Sequence, residues 1–319
     1  MVKSRHCRLA NLTPEELVRH HEEAEEMGGY FVINGNERLI RMLIMPRRNY
    51  PIAISRPSWR NRGALYTEYG VQIRCVRRDQ SSSTLTLHYL TDGSIVTQFS
   101  KNKEMFFVPL VYILKALLST TDQHIFKELM KNNTNNTFLK GCVTAQLRTA
   151  MEDGLLNQKT ALEFIGQRFR LKAELPDWVP DDIITKQLLK ELVLVHLDRN
   201  VDKFNLLIFM ARKLYAFAGG ECMGESPDSP MHQEILLGGH FYLMVLKEKM
   251  LEFLRNIKME LERLAKQSAD LFDSTLVSLM PKVMRKTVDI GHEMEYMLAT
   301  GNLRSRSGLG LQQAYKRQS

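Results

Sequence analysis

The 319-residue sequence is poor in cysteine: Cys7, Cys75, Cys142 and Cys222 are the four it has, and no two stand at CxxC spacing. Neither a disulfide framework nor a zinc site is therefore expected within the chain. No GxxxxGK[ST] loop is present to cradle phosphates, and Gly308-Leu-Gly310 after Arg304 and Arg306 reads as a flexible turn. Long apolar runs are missing as well. The longest, Met105 to Leu118, contains Pro109 and Lys115 and falls short of the roughly 20 apolar residues of a membrane-crossing helix. No leader peptide is read at the start, so an intracellular, soluble protein is expected and the Asn-x-Thr triplets at Asn11, Asn132 and Asn135 are given no role.

A local absence is more telling. From Arg38 to Arg62 there is no acidic residue, while Arg38, Arg41, Arg47, Arg48, Arg56, Arg60 and Arg62 accumulate with Tyr50 and Trp59 between them. Guanidinium forks match phosphate oxygens, and a neighbouring ring can pack on a guanidinium, a ribose or a base. A solvated basic face, or a surface for an acidic protein partner, is an equal reading of the same charge. The formal charge of +8 and pI near 9.2 fit contact with a polyanion, yet are far from those of a histone-like protein.

With 44% hydrophobic residues the chain is long enough for about two domains. Thr13-Pro14-Glu15-Glu16 carries a capping box and predicts a helix running to Gly28. Its His20, His21, Glu22, Glu23, Glu25 and Glu26 lack His-Glu-x-x-His order and read as a solvated face, not a metal site. Asn34-Gly35 between Tyr30–Ile33 and Leu39–Leu43 predicts a hairpin, which the spacing alone makes a core hairpin. Alternation over 65–99 with a reversal at Asp92-Gly93 predicts a small antiparallel sheet. Short helices are expected over 110–118, 122–130, 143–151, 160–169 and 201–217, with a polar loop at 131–137. Gly224 to Pro230 reads as a linker and domain boundary. Beyond it a long amphipathic helix, roughly 240–266, carries the apolar stripe Met244, Met250, Leu251, Leu254, Ile257, Leu261 and Leu264 as core filling. The fold class is α+β.

Three segments carry a resemblance. Gly29-Tyr-Phe-Val-Ile-Asn-Gly-Asn-Glu-Arg38, Thr160-Ala-Leu-Glu-Phe-Ile-Gly166 and Ala299-Thr-Gly-Asn302 with Leu303, Arg304 and Ser305 resemble, in the correct order, signatures of the second-largest, beta-like subunit of multisubunit DNA-directed RNA polymerases. Arg41 to Pro51, Arg212 to Ala216 and Gly220 to Met223 resemble the polymerase I branch most. The family subunit is several times longer, so the chain reads as a fragment, and its tail from Ala314 departs from the pattern at about Gln313.

The resemblance implies a lobe inserted into a protrusion: 1–54 and 233–300 as protrusion, 55–232 as lobe, 301–319 as the start of the fork with a divergent tail. It implies a nucleotidyltransferase subunit whose fragment is inactive alone, because the Mg²⁺ aspartates belong to the largest subunit and no cofactor is expected here. Arg38, Arg47, Arg48, Arg56, Arg60, Arg62, Arg304 and Arg306 are the implied contacts to DNA or the DNA/RNA hybrid. Implied partners are the largest subunit, a small zinc-ribbon subunit and an initiation-factor-like heterodimer at the lobe, in the nucleus and nucleolus, with no membrane. A non-catalytic protein-interaction module is the alternative, favoured if the fold covers the arginines or opposes them with carboxylates. An independent enzyme carries little weight without a pocket of convergent acid, base and nucleophile.

Overall fold

The computed structural model describes residues 4–101, 104–131, 135–173, 178–267 and 276–305. Arg306, the 308–310 turn, the tail and residues 132–134 of the expected polar loop lie outside them. In chain order the elements are α1 (Pro14–Arg19), β1 (Tyr30–Ile33), β2 (Asn36–Leu39), β3 (Leu43–Pro46), β4 (Ile52–Ser55), a 3-10 helix (Pro57–Arg62), β5 (Tyr66–Val76), β6 (Ser82–Leu90), β7 (Ile95–Lys101), β8 (Glu104–Pro109), α2 (Leu110–Leu117), α3 (Asp122–Met130), α4 (Thr137–Glu152), α5 (Gln158–Ala173), α6 (Asp181–Leu192), α7 (Asn200–Ala218), a 3-10 turn (Pro230–His232), β9 (Gln233–Leu236), α8 (Gly238–Gln267), α9 (Leu276–Arg285) and α10 (Ile290–Thr300). The fold is α+β. Two compact units result, one from the segments through Leu43 and from Leu237 to Arg304, the other from Ile44 to Leu236.

In the first unit, α1 has its capping box: the Glu16 N–H donates to Thr13 Oγ1 at 3.4 Å and the Thr13 N–H to the Glu16 carboxylate at 2.8 Å. It stops at Arg19, not near Gly28. His21 turns into the left-handed region at φ 63°, and the Glu22 N–H donates back to Leu17 O at 3.0 Å. Continuing the helix would stack Glu22 over Glu25 and Glu26, like charges one turn apart.

Asn34 and Gly35 at φ 51° and 75° reverse the β1–β2 hairpin, pairing Phe31 with Arg38 and Val32 with Glu37. This is not a core hairpin: Val32 is 63% and Leu39 74% exposed. Phe31 anchors it instead, stacking on Tyr242 of α8 at 5.5 Å. The return strand ends at Leu39, and Leu43 belongs to β3.

Helix α8 is 30 residues long, roughly 45 Å at 1.5 Å per residue. It buries Phe241, Met244 and Val245, while Met250, Leu251 and Leu254 of the expected stripe are exposed. The eleven-residue α10 packs on α8 and is too short to cover it all. Lys249, buried in this packing, pairs with Glu293 at 2.9 Å. The segment Ala299–Asn302 is a helix stop: Gly301, at φ 69°, donates its N–H to Met297 O at 2.9 Å.

In the second unit a five-stranded antiparallel sheet runs β4-β5-β6-β7-β8, with Asp92-Gly93 as the β6–β7 reversal. Alternation sends Val71, Ile73, Leu85, Leu87 and Phe99 into a core shared with Ile113, Leu114, Leu207, Ala211 and Leu214 of α2 and α7. Helices α4 and α5 outrun the expected 143–151 and 160–169, and α6 was not expected at all. Gly166 of the second signature segment lets α5 meet α6: a Cβ there would overlap the Asp181 backbone carbonyl. Buried Lys203 holds the end of α6, donating to Leu189 O at 2.6 Å and Val193 O at 2.7 Å.

The stretch 224–230 is not a free linker. Glu225 closes the outer edge of β4, its carboxylate accepting from the Ala53 N–H and its own N–H donating to Ala53 O, both at 2.7 Å. Lys213 completes the closure at 2.6 Å from Glu225. Burial works to raise the Glu225 pKa, and hydrogen bonds from Lys213 and Ala53 outweigh it, leaving the carboxyl below its usual range.

Candidate nucleic-acid interface

The arginines fall into physically different groups. Arg38, on β2 opposite Phe31, is exposed and has no partner among the described residues. Arg41 is exposed three residues on. Arg47 is exposed after β3, with its guanidinium 5.0 Å from the centroid of the Tyr50 ring. That ring also stacks on His232 at 5.7 Å and faces Lys213 Nζ at 5.8 Å, so Tyr50 gathers positive charge from distant segments. Arg38 and Arg47 both suit phosphate contact, since neither loses an internal bond by making it.

Arg48 is committed elsewhere. Its Nε lies 2.9 Å from Glu234 Oε2, and Nη1 donates to Gln80 at 3.1 Å. The other Glu234 oxygen takes Arg74 Nη1 at 2.6 Å, and the same Nη1 donates to Pro46 O at 3.1 Å. Burial tends to raise the Glu234 pKa, and the hydrogen bonds from Arg48 and Arg74 override it, so the carboxyl sits below its ordinary range. Arg74 is only 4% exposed. Sequence reading missed both Arg74 and Glu234, because a separation of 160 positions leaves no local signal.

The 3-10 helix, with Arg56 as its N-cap, carries Trp59, Arg60 and Arg62 across the outer face of the sheet. Trp59 is buried there, and Gly70 makes room for it: a Cβ would overlap its ring and come within 2.9 Å of Leu87 O. Arg60 pairs with Glu68 at 3.1 Å. Arg62 reaches inward, Nη1 donating to Gln98 Oε1 at 2.5 Å and lying 2.6 Å from His88 Nε2. Its guanidinium also covers the Trp59 and Phe107 rings at 5.6 and 5.8 Å. The same His88 Nε2 also lies 2.7 Å from Gln98 Oε1, so Arg62 Nη1, His88 Nε2 and Gln98 Oε1 form one close polar cluster beneath the rings. Burial holds His88 at about 4, against a smaller opposing pull from Gln98. Burial, with Arg56 adding repulsion, also lowers the Arg62 pKa. Arg56 lies 5.7 Å from the Trp59 ring, and among the described residues no carboxylate pairs with Arg56 or Arg62.

Arg304 is in the other unit, held 3.5 Å from Glu293 and 3.8 Å over the Tyr296 ring. Among the described residues no cluster of three His, Cys, Asp or Glu side chains is placed to hold a metal ion, and no helix is long and apolar enough to cross a membrane.

Residues 1–292 match the family model described as RNA polymerase beta subunit. The chain is 47% identical over 313 residues to the human DNA-directed RNA polymerase I subunit RPA2, covering 98% of this chain and 27% of that one. It is 47% identical over 315 residues to the probable RPA2 of Schizosaccharomyces pombe, again covering 98% and 27%. It is 45% identical over 321 residues to the DNA-directed RNA polymerase I subunit RPA135 of Saccharomyces cerevisiae, covering 98% and 26%. The chain thus spans about a quarter of the length of these curated relatives.

Proposed function

The chain belongs to the RNA polymerase beta subunit family, and from that membership we propose that it is part of the second-largest subunit of RNA polymerase I, which transcribes ribosomal RNA in the nucleolus. One observation carries the reading: identity of 45–47% along 98% of the chain to polymerase I subunits of human and two yeasts. In this role the chain supplies walls of the nucleic-acid cleft, as protrusion (1–54 and 233–300), lobe (55–232) and the start of the fork with a divergent tail (301–319). The catalytic groups, including the carboxylates for Mg²⁺, belong to the largest subunit, and the chain alone is inactive.

Arg38 and Arg47 are the strongest candidates for backbone contact, because both are exposed and, among the described residues, free of carboxylates. Arg56 and Arg62 follow, gathered around Trp59. Arg48, Arg60 and Arg304 already have carboxylate partners at 2.9, 3.1 and 3.5 Å, which reduces what they offer a phosphate. Arg306 stands on the sequence alone. The same carboxylates favour a second role in docking polymerase subunits, the small zinc-ribbon subunit and the initiation-factor-like heterodimer on the lobe. Purification through a tag on this chain from its own cells tests the assignment. The largest polymerase subunit and ribosomal RNA genes are expected with it, and recovery without the largest subunit would sink the reading.

A further inference from the structure

The two edges of the five-stranded sheet are treated differently. Glu225 and Lys213 close β4, whereas among the described residues β8 pairs with β7 and with no other strand. An unpaired edge presents alternating N–H and C=O groups, a template for another strand. Two side chains on the outer face of β8, Met105 and Phe107, are 56% and 37% exposed.

Beside this edge lies a cation with no anion among the described residues. Phe107 is opposite Gln98 in the β7–β8 register, and Gln98 is the residue that receives Arg62. Within the same residues the Arg62 Nε and Nη2 groups make no hydrogen bond, and Arg56 adds a second positive charge. Tyr66, Trp59 and Phe107 wall the guanidinium, Tyr66 and Phe107 meeting edge to face at 5.8 Å.

We propose that β8 is the docking edge for an extended acidic segment of a partner protein, which adds to the sheet as a further strand and sets a carboxylate against Arg62. A strand added there would run about 4.8 Å beyond β8, with every second side chain on the face that holds Phe107 and Arg62. Its apolar residues would cover Met105 and Phe107. Nucleic acid fits this edge less well. The carbonyl oxygens along it need donors, which a phosphate backbone lacks.

The test uses the complete chain and a short fluorescent peptide alternating valine and glutamate, with a lysine-for-glutamate version and a version N-methylated on alternate residues. The acidic peptide is expected to bind and to protect backbone amides within 104–108 from hydrogen exchange. Arg62→Gln is expected to weaken it roughly tenfold, the loss of one charge-assisted hydrogen bond. The lysine peptide should bind more weakly than the acidic one. The N-methylated peptide should fail on the unaltered protein, which separates strand addition from any local damage by the substitution. Equal binding of acidic and N-methylated peptides, or unprotected 104–108 amides, would overturn the proposal. Co-purification with polymerase is independent of these outcomes, so the two readings fail separately.

Discussion

Arg74 and Glu234 stand 2.6 Å apart across 160 residues of sequence, and the same carboxylate receives Arg48. A buried guanidinium is tolerable only with its anion present, so the pair ties β9 to β5.

Removing that anion strands Arg74. Glu234→Ala is expected to cost about 3 kcal/mol in urea unfolding of the complete chain. Arg74→Met with Glu234→Leu should recover most of it, since no buried unpaired charge then remains and Arg48, 38% exposed, can turn to water. Because the folded Glu234 pKa is depressed, its contribution is present above the unfolded value of 4.5 and lost as pH falls through the folded one.

His88 gives the opposite kind of acid sensitivity. Its folded value is about 4 against 6.5 when free, so below pH 6.5 the unfolded chain takes up a proton that the folded chain refuses. Stability is full above pH 6.5 and falls by about 3 kcal/mol by pH 4. His88→Phe should flatten that part of the thermal-melting profile. An unchanged slope would mean that His88 is charged when folded.

Gly70 is expected to tolerate no side chain. Gly70→Ala must push Trp59 off the sheet or move the β6 carbonyl of Leu87, a cost of about 1–3 kcal/mol. Trp59 fluorescence in the variant reports which of these yields.

Salt dependence separates the arginines. In binding a DNA/RNA hybrid, Arg38→Ala with Arg47→Ala should lower the slope of log affinity against log salt by about 2, and Arg60→Ala should leave it nearly unchanged. Equal slopes for all three proteins would remove the phosphate assignment of Arg38 and Arg47.

The thiols should respond in order of exposure. Cys222 is exposed, whereas Cys75 is buried and its pKa is pushed up to about 12 by that burial. Maleimide labelling read by mass spectrometry should modify Cys222 in the native protein and reach Cys75 only on unfolding.

What the sequence disclosed was local chemistry. The Thr13–Glu16 capping box, the Asn34-Gly35 and Asp92-Gly93 reversals and the long helix after 237 each depend on neighbours a few residues apart. What it hid was long-range. Nothing near Arg48 announces Glu234, and nothing near Gly224 announces that Glu225 seals β4. Helix α6 was missed although Ile184, Leu188 and Leu192 recur at helical spacing. The hairpin is not in the core because only β1 is apolar: β2, Asn-Glu-Arg-Leu, is exposed throughout, and the apolar Ile40, Met42 and Leu43 counted with it lie beyond the strand.

The pairing of β3 with β9 has a consequence in time. The second unit is one uninterrupted segment, Ile44 to Leu236, while the first is assembled from chain on both sides of it, the residues up to Leu43 and those from Leu237. At ribosomal speeds of about 5–20 residues per second, the β1–β2 hairpin waits on the order of ten to forty seconds before α8 emerges. During that interval Phe31 has no Tyr242 to stack on. The docking of the nascent hairpin is thus timed by translation through the intervening unit.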